Sequence, residues 1–412
     1  MSQTDRWLLP DAIEEVQPPL AEHVERLRRR SLDYFQRWGY ELVMPPQAEF
    51  LESLLAGMAS DLDLLTCKVT DQSSGRLLGI SPDLTQQVAR MDAHSIGREG
   101  VARYCYCSPV LHARKASLLS SRNPLQLGAE LYGTASGDAD LEIICLMVGL
   151  ATDVGLDTLT LDVGHVGIYR GLVDRLQLAP AQRAELFDLM RQRALPELQA
   201  WLEQEVDDED ARGVLLALPG WSGGPEVLAG LSDRLARFDV AGPLAALRSL
   251  VDTLQARLPE VTLHIDLAEL RDYNYHTGLV FSLFHREHGH AIAKGGRYDD
   301  TGAAYGRSRP ATGFSADLKT LAKLTPERRS ARPRRIYVPA RPDATLQQTV
   351  RQLRAEGEVL IQGFEEVAAE ARTLDCTHRL AEHAGAWHIM PLDDAHSGLD
   401  STTTEGLKTT DG

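Results

Sequence analysis

Positive charge is what this sequence has least of for its size: 43 lysines and arginines face 59 aspartates and glutamates, a formal net charge of −16 over 412 residues. A protein that grips nucleic acid concentrates cations to displace counterions from phosphates, so this balance argues against a nucleic-acid ligand. The basic runs "ERLRRR" (25–30) and "ERRSARPRR" (327–335) have the form of a solvated helix face and a linker, and "EQEVDDED" (203–210) adds to the acidic side. Long apolar runs are missing too. The longest, "IICLMVGLA" (143–151), is too short to span a bilayer, and the first residues lack the basic-then-apolar order of a signal peptide, so no membrane association is expected. Cysteine is scarce. Five residues, an odd number set mostly in apolar segments, suit a reducing compartment, taken as the cytoplasm, better than a disulfide framework. There is no Gly-rich P-loop, no G-x-G-x-x-G after a strand, no G-x-S-x-G and no H-E-x-x-H, and no cofactor is expected.

What is present is ample apolar material, 43% of residues, enough for a large core in two or three domains. Leu20, Val24, Leu27, Leu32, Phe35 and Trp38 recur near helical spacing and stop at Gly39, which predicts an amphipathic helix. "YELVMPP" reads as a strand ended by Pro45 and Pro46, and "KVTDQSSGRLLGISPD" as a hairpin turning at 73–75. Strands recur at "ARYCYCSPVL", "LQLGAELYG", "TLTLDVG", "LHIDLAEL", "GLVFSLF" and "HAIAKGG", and hairpin-length gaps between several of them predict a mainly antiparallel sheet. From about 168 to 259 the pattern is nearly all helical, an insertion into the sheet. The expected core is 1–325. After an Arg/Pro linker, "RIYVPA", a helix, "EVLIQG", another helix and "AWHIMP" make a small α/β unit over 333–392, and the polar tail 393–412 is expected to be disordered.

Candidate chemistry is sparse. Cys105 and Cys107 share a strand face without metal or redox spacing and read as buried structural thiols. His285, His288 and His290 could ligate a metal, but they fall at a hairpin turn with no carboxylate support, and no metal site is expected. The strand "LQLGAELY" is more informative. Leu125, Leu127, Ala129 and Leu131 point one way; Gln126, Gly128, Glu130 and Tyr132 point the other. With "SPDLTQQ" (81–87) and "LRDYNYHTG" (270–278), where Arg271, Tyr273 and Tyr275 share a strand face, this polar row can form an amino-acid site. Asp83 or Glu130 would take the ammonium group and Arg271 the carboxylate. A wet cross-strand pair of Glu130 and Arg271 explains the same residues.

The order "RWGYELVMPP", "SPDLTQQVAR", "YCYCSPVLHARKASLLSSRNPLQLGAELYG", "LRDYNYHTGLVF" and "GGRYDDTGAAYGRSRPATGFSADLKTL" resembles the catalytic domain of the histidyl-tRNA synthetases over all but the C-terminal fifth of the chain. The resemblance implies an α+β, class II aminoacyl-tRNA synthetase-like fold: an antiparallel sheet flanked by helices, with a helical insertion. It also implies a histidine pocket of Asp83, Thr85, Gln126, Glu130, Arg271 and Tyr275, although the next family tyrosine reads His276.

The departures are as telling. Where the synthetases hold ATP with an arginine and a glutamate two places later, this chain has His112 and Arg114, and a later family arginine falls at Thr320. Histidine makes no bidentate contact and threonine carries no charge, so adenylate formation should be severely impaired. A kept pocket beside a lost reaction centre resembles the regulatory subunits of ATP phosphoribosyltransferase. For these the resemblance implies a non-catalytic role: the subunit is required by a short catalytic partner in histidine biosynthesis, and L-histidine acts through it as feedback effector. The class II likeness further implies self-association as a dimer through the "WGYELVMPP" segment, and the small C-terminal unit resembles a shortened anticodon-binding domain. A working synthetase, a free-standing amino-acid sensor in translation control and a protein-modifying paralogue are the rival readings. The first and third need the ATP-binding residues, and the second needs tRNA-binding charge.

Overall fold

The computed structural model describes residues 7–56, 60–115, 120–270, 275–325, 334–364 and 368–392. The chain divides into two compact units, Met1–Pro326 and Glu327–Gly412.

The first unit is built on a nine-stranded sheet. Its spatial order is Glu41–Leu42, Ala102–Pro109, Leu125–Tyr132, Ala311–Asp317, Ala291–Arg297, Leu279–His285, Leu159–His165, Thr262–Asp266 and Ser222–Gly223. All neighbours pair antiparallel except Glu41–Leu42 with its neighbour and Leu159–His165 with Thr262–Asp266. The expected mainly antiparallel sheet is therefore present. "YELVMPP" contributes only a two-residue edge strand, because Pro45 and Pro46 have no N–H to extend a ladder. The 67–80 hairpin also forms, with Gly75 at φ +73°, yet it joins Ala48–Phe50 in a separate three-stranded sheet.

One face of the large sheet carries the main core. The Leu20–Arg37 helix lays Val24, Leu27 and Phe35 on it, with Phe35 edge-on to Phe314 at 5.9 Å, and ends before Gly39 at φ +82°. The run 143–151 lies inside the Gly137–Asp153 helix, capped by Ser136 and buried nearly all round, which is why it reads as so apolar. Leu127, Ala129 and Leu131 pack into this core, as does Cys105. Burial pushes the Cys105 and Cys107 thiols up to about 12, which suits packing groups rather than nucleophiles. The inserted segment is helical apart from Ser222–Gly223, a two-residue strand at the sheet's far edge that its composition did not announce.

In the second unit the strands run Val359–Gln362, Arg335–Val338, His378–His383 and Ala386–Pro391. The helices Ala344–Ala355 and Ala368–Thr373 lie where expected. The His378–His383 strand was not expected. It closes a hairpin through Ala384 and Gly385, at φ +51° and +80°, a turn without the usual Asn-Gly signal. The tail 393–412 lies outside the described residues.

Candidate functional site

The opposite face of the Leu125–Tyr132 strand is not wet. Gln126, Gly128, Glu130 and Tyr132 are as buried as the residues turned to the core, so the alternation separates two interiors rather than core from solvent. The helix Leu84–Arg90 covers this face, with Leu84, Val88, Tyr104, Tyr106 and Tyr298 in a second apolar cluster. Asp83 caps that helix, accepting from the Thr85 N–H at 2.8 Å. Gln126 locks the cap to the sheet. Its Nε2 donates to Asp83 Oδ1 at 3.0 Å, and its Oε1 accepts from the Leu84 N–H at 2.9 Å.

Glu130 stands deepest, 1% exposed. It pairs in register with Tyr104 on one side and Gly313 on the other, and a Cβ on Gly313 would come within 1.6 Å of the Glu130 carboxylate. Glycine is therefore required there by contact with the carboxylate rather than by backbone conformation. Tyr106 donates its hydroxyl to Oε1 at 2.9 Å, and Tyr298 donates to Oε2. Thr85 Oγ1 lies 3.2 Å from the Tyr106 oxygen and extends the chain of hydroxyls outward. Burial pushes the Glu130 carboxyl up to about 8, even though these hydroxyls favour its charged form. The same burial holds the Tyr106, Tyr275 and Tyr298 phenols well above their ordinary range, so they remain proton donors.

Of the residues named from sequence, Asp83, Thr85, Gln126 and Glu130 are brought together by these bonds. Tyr275 joins them by stacking on Tyr298, centroids 4.9 Å apart and planes at 24°. Tyr275 sits in a turn, and the strand that follows begins at Leu279. Arg271 and Tyr273 lie outside the described residues. The wet-pair explanation of Glu130 fails, because its carboxylate is enclosed by phenols. Tyr106 and Tyr298 were not singled out from sequence. Tyr106 was legible in the alternation of "RYCYC", which places it opposite Cys105 and Cys107, while Tyr298 reaches Glu130 from beyond a strand end.

The positions that the resemblance matches to ATP-binding residues make other contacts here. His112 Nε2 meets the Pro82 carbonyl at 2.9 Å, against the turn that leads into the Asp83 cap. Thr320 donates to Asp317 at 2.8 Å in the first turn of its helix, and Arg114 is exposed. His288 lies in the expected turn after His285. Among the described residues, the group with metal-ligand geometry is instead Asp162, Asp266 and Glu269, where Asp266 is paired with Arg193 and Asp162 with the His264 ring. No helix among the described residues is long and apolar enough to cross a membrane.

Comparison with known proteins agrees with this geometry. The histidyl-tRNA synthetase family model matches residues 12–321, and that of the ATP phosphoribosyltransferase subunit HisZ C-terminal domain matches 333–390. An ATP phosphoribosyltransferase regulatory subunit from Pseudomonas syringae is 49% identical over 95% of this chain and all of its own length. One from Thioalkalivibrio sulfidiphilus is 47% identical at the same coverage. Among solved structures, an ATP phosphoribosyltransferase regulatory subunit/histidyl-tRNA synthetase from Bacillus halodurans superimposes with a TM-score of 0.77 at 22% identity, covering 90% of this chain and 97% of that one. A histidyl-tRNA synthetase from Nostoc gives 0.73 at 17% identity, covering 91% of each. The fold is thus histidyl-tRNA synthetase-like, and the chain belongs to the family of ATP phosphoribosyltransferase regulatory subunits, the non-catalytic members of that enzyme's complexes.

Proposed function

We propose that this subunit senses histidine for a short-form ATP phosphoribosyltransferase catalytic subunit, supporting its activity and conferring feedback inhibition in the first step of histidine biosynthesis. One observation carries the reading. The enclosed carboxyl of Glu130 sits under half-buried Asp83, Thr85 and Tyr275 in a chain whose ATP positions hold His112 and Thr320. Such a site offers acceptors to an amino acid and no guanidinium pair to a triphosphate. Asp83, Thr85, Gln126, Glu130, Tyr275 and, in sequence, Arg271 are the residues assigned to histidine. Gln126 acts chiefly by holding Asp83 in place, since both ends of its amide are engaged. A relative of known structure, at a TM-score of 0.56, is an ATP phosphoribosyl transferase (HisG:HisZ) complex from Thermotoga maritima, and an equivalent partner is expected here.

The test is reconstitution. Mixed with the catalytic subunit, the wild-type chain should raise its activity and make it inhibitable by histidine; failure to alter activity in any mixture overturns the proposal. The chain alone should give no histidine-dependent pyrophosphate exchange with ATP. Measurable exchange would return it to the synthetases, because adenylate chemistry needs charge stabilisation that His112 and Thr320 do not supply.

The chain should also self-associate. The two-residue edge strand Glu41–Leu42 ends the large sheet, and beside it Trp38, Leu42 and Met44 are exposed, Met44 by 77%. An open sheet edge rimmed by apolar side chains is a pairing surface. Light scattering should give at least a dimer at micromolar concentration, and Met44→Lys should weaken it; a monomeric wild type would remove this surface from the proposal. The five cysteines are all free, which supports a cytoplasmic location.

A further inference from the structure

We propose a second ligand site on the core-facing side of the Leu125–Tyr132 strand: a cleft between the Leu20–Arg37 and Leu318–Leu324 helices that binds a small carboxylate with a compact apolar body through the ammonium group of Lys319. The cleft has a volume of about 330 Å³, and its walls are Val16, Ala21, Val24, Pro109, Pro124 and Leu125. That volume is at the small end of ligand sites, which run from about 300 to 1,000 Å³.

Lys319 supplies the polar anchor. Its side chain is only 9% exposed and lines the cleft, and Nζ donates to the Asn123 carbonyl. An ammonium group has three donors, and this accounts for one. Among the described residues no carboxylate lies within ion-pair distance of it. Asp317 is nearest in sequence, but its oxygens accept from the Leu125 and Lys319 N–H groups and from Thr320, and Glu14 is turned to Lys323 at 3.4 Å. Burial lowers the Lys319 pKa against the opposing pull of Asp317 and Glu14, which act on it only through space, so part of the cost of burying the ammonium is left unmet. An anionic ligand would remove that cost.

The other charge at the cleft does not oppose an anion. Glu25 is held by Arg28 and Arg29, each at 2.8 Å, so its charge is already compensated. One ammonium against apolar walls suits a monocarboxylate. A phosphate would leave several oxygens without donors. The site is separate from the histidine residues, although neighbouring ones on a single strand serve the two: Leu125 faces the cleft and Gln126 faces Asp83.

The experiment is isothermal titration of the full chain with 4-methylpentanoate and, as neutral isostere, 4-methylpentanamide. The carboxylate should bind once per chain and the amide should not. Lys319→Met, similar in length, should weaken carboxylate binding about ten- to hundredfold, the worth of a charge-assisted hydrogen bond. Ala21→Phe, which fills the cleft and leaves Lys319 in place, should abolish binding, whereas Glu130→Gln should bind as the wild type. The proposal is overturned if the carboxylate does not bind at concentrations up to roughly 10 mM, if amide and carboxylate bind alike, if Lys319→Met binds unchanged, or if Glu130→Gln loses binding, which would place the ligand among the histidine residues.

Discussion

In a complex with the catalytic subunit, Glu130→Gln is expected to raise the histidine concentration for half-inhibition about ten- to hundredfold while leaving assembly and uninhibited activity unchanged. Glutamine keeps the shape that the Gly313 gap admits. Its carbonyl can accept from one phenol while its amide donates to the oxygen of the other, so Tyr106 and Tyr298 stay partnered. What it removes is the capacity for negative charge. Glu130→Ala would lose sensitivity as well, but would take the carboxylate acceptor from two buried hydroxyls, so the glutamine variant is the cleaner test. Inhibition by histidine at the wild-type concentration, in a complex intact by gel filtration, would move the effector to another site.

The same carboxyl makes two pH effects. With its pKa at about 8 in the folded chain against an ordinary 4.5, Glu130 holds a proton between those values that the unfolded chain has released. Stability is therefore greatest below the lower value and falls as pH rises through the window, by about 1.4 kcal/mol per unit. Urea denaturation at pH 6 and pH 8 should show this loss in the wild type and a reduced one in Glu130→Gln. A cationic group of histidine placed beside the carboxyl favours its ionised form, so binding near pH 7 should release a proton. Calorimetry in two buffers of different ionisation enthalpy reads that proton; identical heats would separate histidine from Glu130. Since a ligand shifts a complex only through unequal affinity for its states, catalytic-subunit substrates should weaken histidine binding by the factor with which histidine weakens theirs.

Arg309→Met is expected to cost about 3–5 kcal/mol of stability. The guanidinium is buried and spans both oxygens of Asp92 at 2.8 and 2.9 Å, with the Arg98 and Gly100 carbonyls as further acceptors. Taking away one partner leaves a carboxylate that is 2% exposed with no counter-charge. Asp92 lies in the π-helical segment Met91–Ile96, which continues the Leu84–Arg90 helix that Asp83 caps. Loosening this pair should therefore weaken histidine binding as well as the fold. Adding Asp92→Asn should recover part of the loss by removing the stranded charge. A single variant that unfolds in urea within about 1 kcal/mol of wild type would mean that the helix is held elsewhere.

Local pattern determined much of this protein. Period-two alternation in "LQLGAELY" assigned each residue to its face, 3.6-residue spacing placed the Leu20–Arg37 helix, and the glycines and prolines near 39–46 and 75 ended elements where they end in the fold. Charge balance and absent motifs narrowed the function, and the resemblance of five ordered segments supplied the site. These signals are legible because backbone geometry imposes them within a few residues. What the polar face meets was not legible in that way. Alternation separates two sides of a strand but says nothing of what covers each, and here a helix from 84–90 and tyrosines from three elements seal the second side. Gly313 meets Glu130 through register across two strands, Tyr106 reaches it from a neighbouring strand and Tyr298 from beyond a strand end, and Arg309 finds Asp92 from 217 residues away. The C-terminal hairpin escaped notice for a more local reason: "HRLAEHAGAWHIM" alternates weakly, and its turn places Ala384 as well as Gly385 at positive φ, which an Ala-Gly pair does not announce. Sequence therefore determined which groups were available, and the tertiary structure decided which are enclosed. Enclosure raises the Glu130 pKa, because a low-dielectric surrounding penalises a charge that water would have stabilised.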